Sequence, residues 1–407
     1  MGKRILVFAG YYYPHVGGYE TTLRQLLTRV AKAGYEVTVV TCNTDAAPAI
    51  EQTEGVTVHR LPAWNLLKGA YTVPKPTLVA YRTLRHLSKT KFDLVQTNTR
   101  FFATSVLGML FARLTGTPLV HVEHGSTHSV VPSPVVNSLS KMFDHTLGSL
   151  VATRARRVVC SSGAAERFLR HLGVKGRIGV FPIAGVDTSV FSAEKRAIGR
   201  QRKVEMGLEG ALVITSVCRL IYAKGVQNLL SAMPTIQQGV PNARLLVVGE
   251  GPYRPQLERL AGACAGSLRF LGQLDHEQVA GVLAVTDVLV HPSYSEASIA
   301  LPVLEAGAMG IPSVTTDVGG VRELLADGRT ALIARAGSVD DLSAKALQLL
   351  REVPLRETIG RQIRQLVEDK YSADKIASAF VSEIESMPEV ALAASGTTPG
   401  RAIIRPK

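Results

Sequence analysis

The chain is poor in cysteine and shows no pairing pattern among the four it has. Cys42, Cys160, Cys218 and Cys264 stand far apart, with no C-x-x-C spacing. That excludes a zinc ribbon or a disulfide framework and suits a reducing cytosol. Long apolar runs are missing as well. The most apolar stretch, Phe101 to Ala112, meets Arg113 after 12 residues, where a membrane span needs roughly 20. The run Ile5–Ala9 near the start is too short for a signal peptide's apolar core. There is no Asp-x-Asp, no Walker lysine and no clustering of His and Cys along the sequence, so no tightly held catalytic metal is expected. Tyrosines are not interleaved with basic runs as in a base-stacking platform, which argues against nucleic acid. The expected location is cytoplasmic.

What the chain does have is apolar material for a core. Of its 407 residues 46% are hydrophobic and 19% charged, which fits two globular domains and excludes a disordered or fibrous chain. Charge is distributed unevenly. Residues 1–190 hold 22 basic and 10 acidic side chains, hence +12, while the remainder holds 24 and 23, hence +1. The asymmetry favours an anionic partner for the first half, such as a phospholipid surface or a phosphorylated acceptor. A solvated basic surface would carry the same charge.

Short apolar runs alternate with amphipathic stretches throughout, the pattern of parallel sheets covered by helices. Strands are expected at Ile5–Ala9, Glu36–Thr41, Leu94–Thr97, Leu119–Glu123 and Arg157–Ser161. The helix Glu20–Ala33 has Leu23, Leu26, Leu27 and Val30 on one face. The segment 178–192 lacks periodicity and reads as a crossing between domains. Strands resume at Leu212–Val217, Arg244–Val248, Leu268–Leu271, Val288–His291 and Ser313–Thr315, alternating with helices. From Val339 on the reading is helical, and 388–407 reads as a disordered tail. The expected architecture is α/β, with two tandem Rossmann-like domains, 1–186 and 187–370, facing a cleft at the carboxyl ends of both sheets.

Chemistry-bearing residues gather at those strand ends. Gly17-Gly18 opens a helix after the first strand, where bare backbone and free N–H groups suit an anion. Ser298-Ile299-Ala300-Leu301 precedes Pro302 at another helix start, and its amides could bind a diphosphate. Glu305, inside that first turn, serves either the helix dipole or a ribose diol. Arg219 and Lys224 follow a strand and can reach a phosphate group together. His124, before Gly125 at another strand end, is placed for cleft chemistry or for a plain hydrogen bond.

Together these residues resemble glycosyltransferase family 4, the retaining nucleotide-sugar transferases of the two-Rossmann GT-B fold. Tyr12-Tyr13-Pro14-His15-Val16-Gly17-Gly18-Tyr19-Glu20 is similar to the family's "YPP-x-GG-x-E", and Phe181–Asp187 to its "NGVD" hinge. Arg219-Leu220…Lys224-Gly225 resembles "GRL…KG", and Gly249-Glu250-Gly251-Pro252 resembles "GEGP". His291-Pro292-Ser293 through Glu305-Ala306, Gly310-Ile311-Pro312 and Gly319-Gly320 repeat the family's nucleotide-site block in order. The resemblance implies that Arg219 and Lys224 hold the donor diphosphate and Glu305 its ribose. Gly17, Gly18 and Gly249 would border the donor, His124 would lie beside the transferred sugar, and Glu296 near its hydroxyls. It also implies that 371–387 forms a helix returning to the first domain. Three positions depart from the pattern. Eight residues separate Glu296 from Glu305 where the family has seven, Ala184 replaces the hinge asparagine, and Cys218 replaces the glycine of "GRL". The resemblance implies retaining sugar transfer from a nucleotide sugar; the missing ligand cluster makes the expected transfer metal-independent, and the +12 of residues 1–190 points to a lipid-linked or phosphorylated acceptor, with an anionic membrane as a further partner. Two rivals stay open, a nucleotide-sugar epimerase of the same fold and a non-catalytic nucleotide-sugar or polyanion binder.

Overall fold

A computed structural model describes residues 3–15, 17–66, 71–128, 133–296 and 298–387. The tail expected at 388–407 lies outside the described residues. Two sheets carry the fold, both mainly parallel, as the buried β-branched runs require. The first is built from β1 (Arg4–Phe8), β2 (Glu36–Asn43), β3 (Ile50–Thr53), β4 (Val56–Leu66), β5 (Tyr71–Pro74), β6 (Leu94–Asn98), β7 (Leu119–Glu123), β8 (Arg157–Cys160) and β9 (Ile178–Val180). Its order is β3-β4-β2-β1-β6-β7-β8-β9, with β3 and β5 antiparallel to β4. Strands β3 to β5 and β9 are additions to the sequence expectation; β9 occupies the start of the segment expected to be a crossing.

The second sheet comprises β10 (Leu212–Val217), β11 (Ala243–Val248), β12 (Leu268–Gly272), β13 (Val288–His291), β14 (Ser313–Thr316) and β15 (Leu332–Ala334). Its order, β12-β11-β10-β13-β14-β15, reverses direction between β10 and β13. That reversal opens a crevice at the carboxyl ends of the strands, the place where such sheets bind ligands. Helix Val226–Gly239 runs straight through Pro234. Burial of Met233 and Ile236 in the core outweighs the hydrogen bond the proline removes.

The chain passes between the domains twice, side by side. Val186 N–H donates to the Tyr371 carbonyl at 2.8 Å, and Ala373 N–H to the Val186 carbonyl at 2.9 Å. A side chain on Gly185 would run into the Ala373 backbone. Helix Ala373–Glu385 then lies on the first domain, with Phe380, Ile384 and Met387 in the cluster that holds Ile5, Leu23 and Leu27. Arg29 on helix Gly18–Lys32 pins both crossings, reaching Asp187 at 3.0 Å and Asp374 at 2.7 Å.

Candidate functional site

The carboxyl ends of β1, β10 and β11 and the start of helix Leu301–Ala308 surround a cavity of about 520 Å³ between the domains. Of the residues singled out in the sequence, Gly17, Gly18, Arg219, Gly249, Leu301 and Glu305 line it. On the first-domain wall, Gly18 has open space where a Cβ would point, whereas a Cβ on Gly17 would meet the Glu20 carboxylate. Gly17 is extended, so room and not a left-handed backbone is what its missing side chain provides. On the second-domain wall Gly249 has φ 124° and lies against the Cys218 carbonyl, which presses the Gly249–Pro252 loop onto the Arg219 turn.

Arg219 is exposed to the cavity. Facing it across the cleft is Glu20, whose carboxyl burial raises and Arg219 pulls back. Glu305 is the other acid of the wall. Burial pushes its carboxyl up to about 8. Its one ion-pair contact among the described residues is a distant one, His276 Nδ1 at 3.8 Å. A carboxyl desolvated in this way, at a cleft and without a cation in contact, marks a candidate functional group. His276 closes the wall by reaching the other domain, Nε2 to Thr21 Oγ1 at 3.2 Å.

Helix Leu301–Ala308 begins with Pro302 in its first turn, one residue earlier than expected. The Ala300 side chain caps nothing, and no backbone carbonyl of the described residues accepts from the amides of Ser298, Ile299, Ala300 or Leu301. The side chains of Ile299 and Ala300 are core residues, so any contact with ligand is through their backbone.

Lys224 and Glu296 form a second group beside the cavity and do not line it. The Glu296 carboxylate accepts from Lys224 Nζ, and from His291 Nε2 at 2.8 Å. Burial opposes its charge, but Lys224 and His291 hold it well below the usual carboxylate range. Gly225, with φ 69°, sits against the Pro292 carbonyl and so sets Lys224 next to Glu296. In this structure Lys224 is paired with the Glu296 carboxylate, whereas Arg219 lines the cavity. The Glu296 carbonyl accepts from Ser126 Oγ of the first domain at 2.7 Å.

His124 stands at the end of β7, outside the walls of the cavity, with its ring edge-on to Tyr19 at 5.0 Å. Burial lowers its imidazole to about 4, so it is neutral at physiological pH. Its Nε2 and the Tyr19 hydroxyl are both buried without a hydrogen-bond partner. Such orphaned polar atoms beside a cleft are the places a ligand satisfies. Sequence reasoning gave no role to Tyr19, Glu20, Thr21 or His276, although Glu20 closes the motif that resembles "YPP-x-GG-x-E". Only the position of the first two beside Gly17-Gly18 was a signal.

Histidines that lie far apart in the sequence meet in the fold. His128, His145 and His171, from three elements, bring their ligand atoms within 4.8 Å of one another. A larger recess of about 860 Å³ lies elsewhere, lined by Tyr81, Lys89, Lys91, Leu110 and Leu114. Asp93 and Pro118 border it, just before β6 and β7, so it opens at the amino ends of those strands and away from the cleft.

Residues 16–190 match the family model described as Glycosyltransferase Family 4, and residues 199–366 that of Glycosyl transferases group 1. An uncharacterized glycosyltransferase of Methanocaldococcus jannaschii is 27% identical, across 94% of this chain and 98% of its own. A GDP-mannose-dependent alpha-(1-6)-phosphatidylinositol monomannoside mannosyltransferase of Mycobacterium tuberculosis is also 27% identical, across 92% and 96%. Among solved structures, sucrose-phosphate synthase from Thermosynechococcus elongatus superposes with a TM-score of 0.79 at 22% identity, covering 97% of this chain and all of that one. Anabaena HepE in complex with UDP-glucose gives 0.75 at 19%, over 94% of this chain and all of its own. The structural likeness shows the shared two-domain fold.

Proposed function

The chain is a family 4-like glycosyltransferase of GT-B fold, a hexosyltransferase-type enzyme using a nucleotide sugar, and we propose that it transfers with retention and without a divalent ion, to a lipid-linked or phosphorylated acceptor. The observation that carries this reading is the convergence of Gly18, Arg219 and Glu305 on one inter-domain cavity. The Arg219 guanidinium and the amides at Ser298–Leu301 stabilise the diphosphate as charge develops on it. Glu305 accepts from the ribose diol. His124, neutral and with Nε2 unpartnered, orients the sugar and does not act as a base. The bond from the anomeric carbon to the diphosphate oxygen breaks while the acceptor oxygen bonds on the same face. The departing diphosphate takes the acceptor proton.

Three observations support an acceptor at a membrane. Excess positive charge lies in residues 1–190. Helix Pro134–Phe143 has no buried residue, and Val135, Leu139 and Met142, one stripe, are 68%, 56% and 62% exposed. The phosphatidylinositol mannoside mannosyltransferases among the relatives are named for a lipid acceptor. No described helix is long and apolar enough to cross a membrane; the attachment proposed is peripheral, at the cytoplasmic face. The test is mass spectrometry after incubation with UDP- and GDP-sugars and lipid extracts, with anomeric configuration read by NMR. A glycosylated lipid or phosphorylated product with the donor's configuration is expected. An inverted product, or epimerised donor without free nucleoside diphosphate, refutes the reading.

A further inference from the structure

We propose that the first domain binds a zinc-class divalent ion through the imidazoles of His128, His145 and His171. The three residues come from separate elements: the loop after β7, a π-helical turn Asp144–Gly148, and the last position of helix Gly163–His171. Their ligand atoms lie within 4.8 Å of one another, and neighbouring ring centroids, 128 to 145 and 145 to 171, are 5.4 and 5.3 Å apart. Tetrahedral zinc with Zn–N near 2.0 Å holds its nitrogens roughly 3.3 Å apart. His145 and His171 are exposed, so the proposal asks their two side chains to reorient toward the ion. Three nitrogen ligands leave a fourth position for solvent.

The surroundings are those of a metal-ligating histidine. His128 Nδ1 donates to Asp144 Oδ2 at 2.6 Å, which fixes the tautomer and leaves Nε2 free as a ligand. Asp144 is itself buried and anchored by Arg100, at 2.9 and 3.1 Å. Arg100 also meets Glu123 at 3.0 Å, so two buried carboxylates share one guanidinium. Despite its burial Glu123 stays ionised, since Arg100 and His121 hold it down to about 2. The wide π turn is the device that sends Asp144 inward and His145 outward at consecutive positions.

The ion would tie together two segments that touch the second domain. Ser126, two residues before His128, bonds the Glu296 carbonyl. Gly163 N–H and Arg167, on the helix that ends in His171, both bond Glu323, each at 2.7 Å. Its role is therefore that of a clamp on the first-domain side of the contact, separate from the donor cavity.

Tag-free, full-length protein stripped with chelator and titrated with zinc against a chromophoric competitor tests this. One equivalent should bind, and Co²⁺ in its place should give the visible absorption of a near-tetrahedral site. H145A/H171A, altered at two exposed positions, should weaken zinc binding by at least about 100-fold, because loss of outer partners alone costs 10–100-fold. Its circular dichroism and its affinity for nucleoside diphosphate should match wild type, which separates loss of the ion site from loss of fold. Substoichiometric zinc binding by wild type, or undiminished binding by H145A/H171A, overturns the proposal.

Discussion

Glu305→Gln in the donor cavity separates what burial does to this carboxyl from what a ligand asks of it. With the folded carboxyl near 8, about a tenth of molecules carry the ionised form at pH 7 and about nine tenths at pH 9. If the ribose diol donates both hydroxyls to a carboxylate, nucleoside diphosphate should bind about tenfold tighter at pH 9 than at pH 7. The glutamine variant cannot change charge at this position and should give a flat profile. A phosphate's second ionisation lies near 6, His276 beside Glu305 is pushed down by burial and stays neutral throughout, and ring ionisation of uracil or guanine toward pH 9 affects wild type and variant alike. Stability should move the opposite way. Because the unfolded carboxyl ionises at about 4.5 and the folded one near 8, folding favours the protonated form. Stability is thus full below the lower value, falls as pH rises between the two, and levels off above 8. The size is roughly 3–5 kcal/mol. Glu305→Gln should therefore melt near wild type at pH 5 and well above it at pH 9. Calorimetric titration with UDP and GDP at pH 7, 8 and 9, paired with thermal melts, reads both. Parallel binding profiles for wild type and variant would refute the ribose assignment.

Arg219→Ala, at an exposed position, should lower kcat/KM about 30- to 1,000-fold, equivalent to about 2–4 kcal/mol of transition-state stabilisation, with an unchanged melting temperature; near-normal turnover sinks its diphosphate role. Lys224→Ala should also cost about 1–3 kcal/mol of stability by leaving Glu296 with His291 alone, and adding Glu296→Gln should restore the melting temperature. A single variant as stable as wild type argues against that pair. Activity should persist in excess EDTA without added Mg²⁺ or Mn²⁺. Restoration of lost activity by either ion overturns the metal-free transfer, whereas restoration by zinc alone points to the histidine site. Vesicles with anionic lipid should cosediment the protein at low salt and release it at high salt, and Leu139→Asp/Met142→Asp should weaken that binding. No binding at low salt leaves a soluble acceptor as the better reading.

The alternating architecture was legible because each strand of the two sheet centres is an apolar run closed by polar residues. In both halves those runs keep their places to within a residue or two: β7, β10 and β13 coincide with the expected spans. The strands at the edge of the first sheet were not legible. The hairpin of β3 and β4 turns on Glu54-Gly55, at φ 51° and 81°, where turn chemistry leads one to look for Asn-Gly or Asp-Gly. Its first strand, Ile50–Thr53, has no buried residue and so no alternation to read. Helix Val226–Gly239 fails the local rule for the opposite reason, since core packing of Met233 and Ile236 overrides a proline signal.

The site divides along the same line. Residues fixed by backbone geometry, Gly249 against the Cys218 carbonyl and Pro302 at a helix start, announce themselves through residue types that few other conformations need. Residues that act through long-range placement do not. The eight-residue gap between Glu296 and Glu305 counts positions along the chain, but what sets the Glu296 carboxylate is His291 on one side, Lys224 on another and the Ser126 bond to its carbonyl from the other domain. The histidine triad is the extreme case. Its members are 17 and 26 residues apart in sequence, outside the close pairs on which metal motifs are recognised. They meet only because β7, the π turn and helix Gly163–His171 end at one corner of the first sheet. Nothing local marks any one of them, and the absence of a cluster in the linear sequence therefore carried no weight about the folded chain.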